Sequence, residues 1–498
     1  MVAVFAAGML VVSAVSQSNA PASEPVAIDA TAGGTPFPHY WEQMFGSGRA
    51  ILSLRDGYRR DLRTVKQATG FTYVRFHGIF MDEVGLYDVD AASKPVYNFS
   101  YIDQIYDGLL ENGVKPYVEL SFMPKKQAPD PPTLHFFWYH QVISPPKDYA
   151  IWDAMIDAFT RHLVERYGID EVSQWYFEVW NEPNIDFWDG DPKLATYLKF
   201  YDHTARAVKN VDARLRVGGP STARTAWAPE FLAYCKQHHL PVDFVSTHVY
   251  GTDKPQDVFG TDTPVAQDRF VCKAVSRVHD QIKASAYPEV PLIISEFNAD
   301  WDTHTNVTDS AYMGPWMATT ISQCDGLTKM MSYWSFSDVF EEQGVVKKPF
   351  YGGYGLMAVD NIPKPALNAF AMLHQLGDVR LKSDADSTLV TRRKDGTLVV
   401  ALWNYAPPTD GPLTGATKSF TLQLTHAGTH ATILRLDAAH GDVNAADAAM
   451  GRPDFPSRKQ IAELQQAGRA APPELQTIQQ GRLTLTVPPQ GLVVVEIQ

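Results

Sequence analysis

The stretch "WYFEVWNEPN", residues 175–184, sets a run of aromatic and β-branched residues directly before an Asn-Glu-Pro-Asn turn. Trp175 to Trp180 reads as a short strand whose alternate side chains face opposite ways, and Pro183 ends it. Glu182 therefore falls just past the carboxyl end of the strand. Glu178, four residues earlier, faces the same side by parity but lies deeper, where a charge requires a partner; Arg75 is the candidate.

Outward from this strand the chain repeats one beat of apolar strand, polar turn and amphipathic helix. Strands are expected at 73–80, 115–122, 175–181, 216–221, 244–250, 291–297 and 329–336. Helices are expected near 101–112, 150–167, 192–211, 227–239, 265–284 and 309–323. Strands that alternate with helices pair in parallel. A weaker strand near "MFGSGRA" (44–50) comes first and makes eight, which predicts a (β/α)8 TIM barrel over 39–362, an α/β fold. A doubly wound open sheet would need a glycine-rich phosphate turn after its first strand, and Gly46 and Gly48 lack the third glycine. Beyond about residue 365 short alternating strands such as "LVVALWNY" and "LVVVEIQ" predict an accessory antiparallel β-sandwich, formed by 363–498 with 21–38 adding an edge strand. Residues 438–480, rich in Ala, Pro and Gln, read as an excursion between two of its strands.

The formal net charge of −13 over 498 residues, with no basic run, argues against nucleic acid as a partner. The apolar run 2–15 followed by Ser18-Asn19-Ala20 predicts a signal peptide over 1–20, and hence an exported, periplasmic or secreted protein with no stable membrane span after processing. Cys235, Cys272 and Cys324 are odd in number, widely spaced and set in apolar helical stretches, so all three are expected to be core thiols.

In a parallel barrel the reacting groups come from the carboxyl ends of the strands. The polar and aromatic residues there are His77 on strand two, Phe122 on three, Asn181 and Glu182 on four, His248 and Tyr250 on six, Glu296 on seven and Trp334 on eight. Strands four and seven oppose each other across the mouth, so Glu182 and Glu296 can converge on one bound molecule. Two opposed carboxylates suit glycosidic bond cleavage: one protonates the leaving oxygen while the other attacks or activates water at the anomeric carbon. A zinc hydrolase built on His77, His248 and Glu296 would show clustered spacing such as His-Glu-x-x-His, which is absent, so no metal and no cofactor is expected.

"WYFEVWNEPN" resembles the signature of glycoside hydrolase family 39 at every defined position, and the likeness extends through "STHVYG" (246–251), "ISEFN" (294–298), "SYWSFSDVFEEQG" (332–344) and the excursion at 438–457. The resemblance implies that Glu182 is the acid/base and Glu296 the nucleophile of a retaining double displacement. It implies that Asn181 binds the sugar 2-hydroxyl and that His77, His248 and Tyr250 surround the first sugar. Trp334 would form the floor and Phe122 a wall. It further implies that Glu341 and Glu342, on the loop after strand eight, hold the outer hydroxyls of a terminal sugar and close the pocket, as in the β-xylosidases of that family. The expected activity is exo-acting release of xylose from the non-reducing ends of xylo-oligosaccharides. Cleavage of an arabinosyl or other glycoside is the enzymatic alternative. A catalytically silent carbohydrate-binding protein would keep the aromatics but has no reason to keep both carboxylates.

Overall fold

The computed structural model describes residues 23–303, 305–409 and 413–498; the expected signal peptide lies outside the described residues. Among the described residues no helix is long and apolar enough to cross a membrane. Eight parallel strands close into a barrel, in chain order β1 (Met44–Ser47), β2 (Tyr73–Phe76), β3 (Lys115–Leu120), β4 (Tyr176–Val179), β5 (Arg216–Thr222), β6 (Phe244–Tyr250), β7 (Leu292–Asn298) and β8 (Met330–Tyr333). β1 closes the ring by pairing Met44 with Ser332 and with Tyr73 on its other side. It reads weakly as a strand because Gly46 interrupts it, and the glycine has a packing reason: a Cβ there would come 2.0 Å from Trp334 Cε3.

The inside of the barrel is layered. Met44, Tyr117, Tyr176, Phe244, Ile293 and Met330 pack together toward the amino ends of the strands. Two residues further along the same strands stand Gly46, Glu119, Glu178, Ser246, Ser295 and Ser332, all buried. The periodicity of two thus carries the interior from an apolar plug to a polar layer within one step.

The helix Asp56–Thr69, additional to those expected from the sequence, buries Tyr58, Leu62 and Val65 at helical spacing beneath a face dense in arginine. After β8 the helix Pro365–Leu373 starts at a proline, whose missing N–H costs nothing in the first turn. Its Phe370 packs edge-on against Phe45 and Tyr333, so this barrel helix lies past the expected boundary at 362.

One expectation fails. Cys272, on the helix Gln267–Lys283, and Cys324, ending the helix Met313–Cys324, form a disulfide, and Cys235 alone stays free and buried. The two cysteines are 52 residues apart in sequence and meet because their helices are neighbours around the barrel.

The carboxyl-terminal strands form a seven-stranded and a three-stranded sheet that enclose a core including Val26, Val400, Leu402, Phe420, Ile433, Leu485 and Val495. The amino-terminal segment contributes to both: Gly34–Pro36 pairs antiparallel with Val379–Leu381, whereas Glu24–Asp29 pairs parallel with Lys418–Thr425. That single parallel pair departs from the antiparallel pattern. The excursion folds into the helices Asn444–Ala449 and Arg458–Ala467, the second opened by a capping box between Ser457 and Gln460. It packs Val443 and Leu464 onto Ala358 and Ile362 near the end of the barrel.

Candidate active site

Arg75 on β2 is the hub of the polar layer. Fully buried, it donates from Nε to Glu178 Oε2 at 2.6 Å, from Nη1 to Glu296 Oε1 at 2.6 Å and from Nη2 to Asn181 Oδ1 at 2.9 Å, and it pairs with Glu119 Oε2 at 2.7 Å. One guanidinium therefore reaches carboxylates from three other strands, with the geometry that suits Arg rather than Lys. Burial pushes the pKa of Glu178 up, but Arg75, together with His248, Ser246 and Ser295, outweighs it and holds the carboxyl below its ordinary range. The expected Glu178–Arg75 pair is present, and it extends into the site.

Glu296 receives a second anchor, the hydroxyl of Tyr250, which donates to Oε2 at 2.7 Å. Burial, reinforced by the charge of Glu296, drives the Tyr250 pKa far up, so the phenol remains a donor. With Arg75 on one oxygen and Tyr250 on the other, Glu296 is held as an oriented carboxylate. Glu182 differs. It sits at φ 45°, in the left-handed region that costs a non-glycine residue on the order of 1–2 kcal/mol, and its amide donates to Ser221 O at 2.8 Å. That backbone turn aims the carboxyl from the end of β4 back over the barrel. Its side chain is 12% exposed, and Oε1 lies 2.9 Å from His248 Nδ1. Burial raises the pKa of Glu182 to about 7 against the pull of His77 and Arg75, so burial, more than the neighbouring Glu296, keeps its proton on.

Ligating atoms of Glu182, His248 and Glu296 lie within 4.8 Å of one another. The cation at this cluster is already supplied by the protein, because the Arg75 guanidinium occupies Glu296 Oε1. Burial lowers the His248 pKa to about 4, leaving a neutral imidazole against Glu182. His77 bonds Glu119 through Nδ1 at 2.7 Å and stands 3.8 Å from both Glu296 and Glu342 through Nε2. Burial opposes its charging, but Glu119 and Glu296 prevail and raise its pKa.

These groups open into a cavity of about 530 Å³. His77, Asn181, Glu182, Tyr250, Glu296, Trp334 and Glu342 line it. Trp334 forms a nearly buried base, with the Arg75 guanidinium 5.6 Å from its ring. Three residues singled out from the sequence stand behind the lining. His248 backs Glu182. Phe122, fully buried, stacks on Phe187 with ring centres 6.0 Å apart, and it is Phe187 that faces the cavity. Glu341 turns away to pair with Arg49, 2.9 Å from Oε2, and with Arg55. Glu342 faces the cavity, and its carbonyl accepts from the Trp138 amide at 2.9 Å. Burial raises the Glu342 pKa to about 8; His77 opposes the shift, while Glu296 and Glu182 add to it.

The outer lining, Phe136, Phe137 and Trp301 from loops and Arg224 from the short 3-10 turn Ala223–Thr225, comes from stretches whose sequence carries no period or motif. Arg75 and Glu119 had a signal: each is a charged residue flanked by apolar neighbours inside its strand, facing Glu178 by parity.

Cleavage of a glycosidic bond is the chemistry such a pair of carboxylates serves, and comparison with known proteins places the chain among the glycoside hydrolases. The model of "Glycosyl hydrolases family 39" matches residues 24–483, and the chain belongs to that family. It is 38% identical over 447 residues to a β-xylosidase of Geobacillus stearothermophilus, covering 87% of each chain. A β-xylosidase of Caldicellulosiruptor saccharolyticus is 34% identical, with 85% of this chain and 87% of that one covered. Among solved structures, a family 39 β-xylosidase from Caulobacter crescentus superposes with a TM-score of 0.84 at 33% identity, over 96% of this chain and 100% of that one.

Proposed function

We propose that the enzyme is a retaining, exo-acting β-xylosidase that releases xylose from the non-reducing ends of xylo-oligosaccharides. The observation that carries the mechanism is the separation of the carboxylates. One oxygen of Glu182 and one of Glu296 lie within 4.8 Å of each other, in keeping with the about 5–5.5 Å of retaining enzymes and short of the about 6.5–9.5 Å of inverting ones.

In the first step Glu296 attacks the anomeric carbon, the bond to the leaving oxygen breaks, and Glu182 gives that oxygen its proton. Arg75 and Tyr250 keep the nucleophile aimed, one on each of its oxygens. The resulting ester removes a negative charge from beside Glu182, which eases release of its proton. In the second step Glu182, now a carboxylate, takes a proton from water as the water attacks the anomeric carbon, and the Glu296 ester opens. Asn181, its Oδ1 held by Arg75, has its amide N–H groups left to donate to the sugar 2-hydroxyl. Trp334 offers the sugar a flat apolar face, and Glu342 accepts from or donates to its outer hydroxyls. Glu341 acts at one remove: its ion pairs with Arg49 and Arg55 hold the loop that carries Glu342.

The choice of xylose rests on the two β-xylosidases that share more than a third of their aligned residues with this chain. Export is proposed as well, and the Cys272–Cys324 disulfide supports it, since such bonds persist in oxidising compartments. The deciding experiment follows hydrolysis of p-nitrophenyl β-xyloside by proton NMR. β-Xylose appearing first, before mutarotation, is expected. α-Xylose first overturns the retaining mechanism, and faster turnover of an aryl arabinoside overturns the choice of sugar.

A further inference from the structure

At the amino end of the barrel, far along the strands from the catalytic cavity, three ligating side chains meet. His39 and Glu42 lie in the segment leading into β1, and His374 follows the helix Pro365–Leu373. His39 Nδ1 is 2.6 Å and His374 Nδ1 2.8 Å from the same oxygen, Glu42 Oε1. The ligating atoms of all three lie within 4.8 Å of one another. Glu42 is only 4% exposed, and its second oxygen, Oε2, is buried with no hydrogen-bond partner. A buried carboxylate oxygen left unpaired is costly.

The rings are held in place. His39 stacks on Trp41 with centres 4.5 Å apart, and His374 stands edge-on to His39 at 6.1 Å. The histidine side chains are 21% and 39% exposed, so the cluster is reachable from solvent. The nearby cation Arg393 is engaged elsewhere, by Gln375 O at 2.6 Å and Glu496 at 2.8 Å.

The geometry points to a binding site for a divalent transition-metal ion of the Zn²⁺ class, held by His39 Nδ1, His374 Nδ1 and the Glu42 carboxylate. Two imidazoles and one carboxylate select Zn²⁺ and its neighbours over Mg²⁺ or Ca²⁺, which prefer oxygen ligands. Zn–N and Zn–O bonds of about 2.0–2.2 Å in a tetrahedron set ligand atoms roughly 3.3 Å apart, so the present contacts need to open by about half an ångström. The ion takes the place of the protons that now bridge the cluster, and Oε2 gains a partner through bidentate ligation, so that the two imidazole nitrogens and the two carboxylate oxygens fill a distorted four-coordinate shell. Such an ion joins the chain entering the barrel to the point where it leaves for the sandwich, a structural role separate from turnover.

The test is a Zn²⁺ titration by calorimetry on the Glu296→Ala enzyme, which removes one ligand from the Glu182, His248 and Glu296 cluster, paired with thermal unfolding with and without EDTA. One Zn²⁺ bound per chain and a rise of several degrees in Tm at saturation are expected, reversed by EDTA and not reproduced by Mg²⁺. Both should vanish when His374→Ala is added, a partly exposed position the fold tolerates; His39→Ala serves as the second variant. No saturable binding, or binding and a Tm shift that both variants leave intact, overturns the site.

Discussion

The two layers inside the barrel differ by one step of the strand and by nearly everything in chemistry. Tyr117 and Glu119 share a strand and a face, as do Tyr176 and Glu178, yet the first of each pair belongs to the apolar plug and the second to the charged layer on Arg75. Burial is complete in both. In the plug it stabilises, because apolar area leaves water. In the upper layer it costs, because four charges are taken out of water and recover that cost only through short, well-aimed bonds. The lower layer is built for stability and the upper one to hold charge where a reaction needs it, and mutations should separate the two.

The largest effect is expected from Glu296→Ala, which should lower turnover by several orders of magnitude, with added azide restoring activity as a glycosyl azide of inverted configuration. Activity retained without azide would remove Glu296 from the nucleophile's role. Next, Glu182→Ala should slow substrates with poor leaving groups by about 10²–10⁴-fold and activated aryl xylosides far less. The acid must be protonated, so in the parent enzyme activity on xylobiose should fall as the pH rises through about 7, and this limb should be missing from Glu182→Ala assayed on an activated substrate. The contribution of that carboxyl to stability has the same sign: full below its ordinary pKa, it is lost as the pH rises through about 7. A limb that survives in Glu182→Ala would assign it to Glu342, whose pKa lies at about 8.

Arg75→Met sharpens the comparison from the side of stability, since it strands three buried carboxylates. It should cost about 3–5 kcal/mol in denaturant unfolding as well as most of the activity. Loss of activity with unchanged stability would mean the carboxylates find other partners. Glu342→Ala should weaken the reaction of a terminal xylose by about 1.5–3 kcal/mol, roughly 10- to 150-fold in kcat/KM. A time course on reduced xylohexaose accompanies it: xylose released one unit at a time supports a closed pocket, whereas early xylobiose and xylotriose from internal cuts would mean an open cleft. The smallest effect belongs to the plug. Tyr117→Phe removes only the 3.1 Å bond to Glu178, so it should cost about 1 kcal/mol of stability and leave kcat within a factor of two. A large kinetic loss there would show that the two layers are not separable.

Much of this was legible in the chain. The strand and helix beat is local, and hydrophobic periodicity reports it well enough to place seven barrel strands and the two carboxylates at their ends. The weak β1 was legible only as the piece the ring lacked, because the glycine that makes room for Trp334 erases the strand signal. Glu341 and Glu342 look alike as neighbours in sequence. Successive side chains point apart, and only the folded loop shows that Arg49 and Arg55 claim the first while the cavity takes the second. Phe122 stands at the end of its strand but behind Phe187, which comes from a loop without pattern and lines the cavity in its place.

By itself, then, the sequence determined what repeats or is contiguous: the barrel, the sandwich, and the Asn-Glu-Pro turn that sets Glu182 past the end of β4. Only the tertiary structure decided which distant groups share one charge environment. Beyond the Glu178 that strand parity already offered it, Arg75 bonds partners 106 and 221 residues away, the Cys272–Cys324 bridge spans 52, and His374 reaches Glu42 across 332. No local pattern encodes such pairings, because their energy comes from burial and geometry at the meeting point, and that point exists only once the barrel has closed.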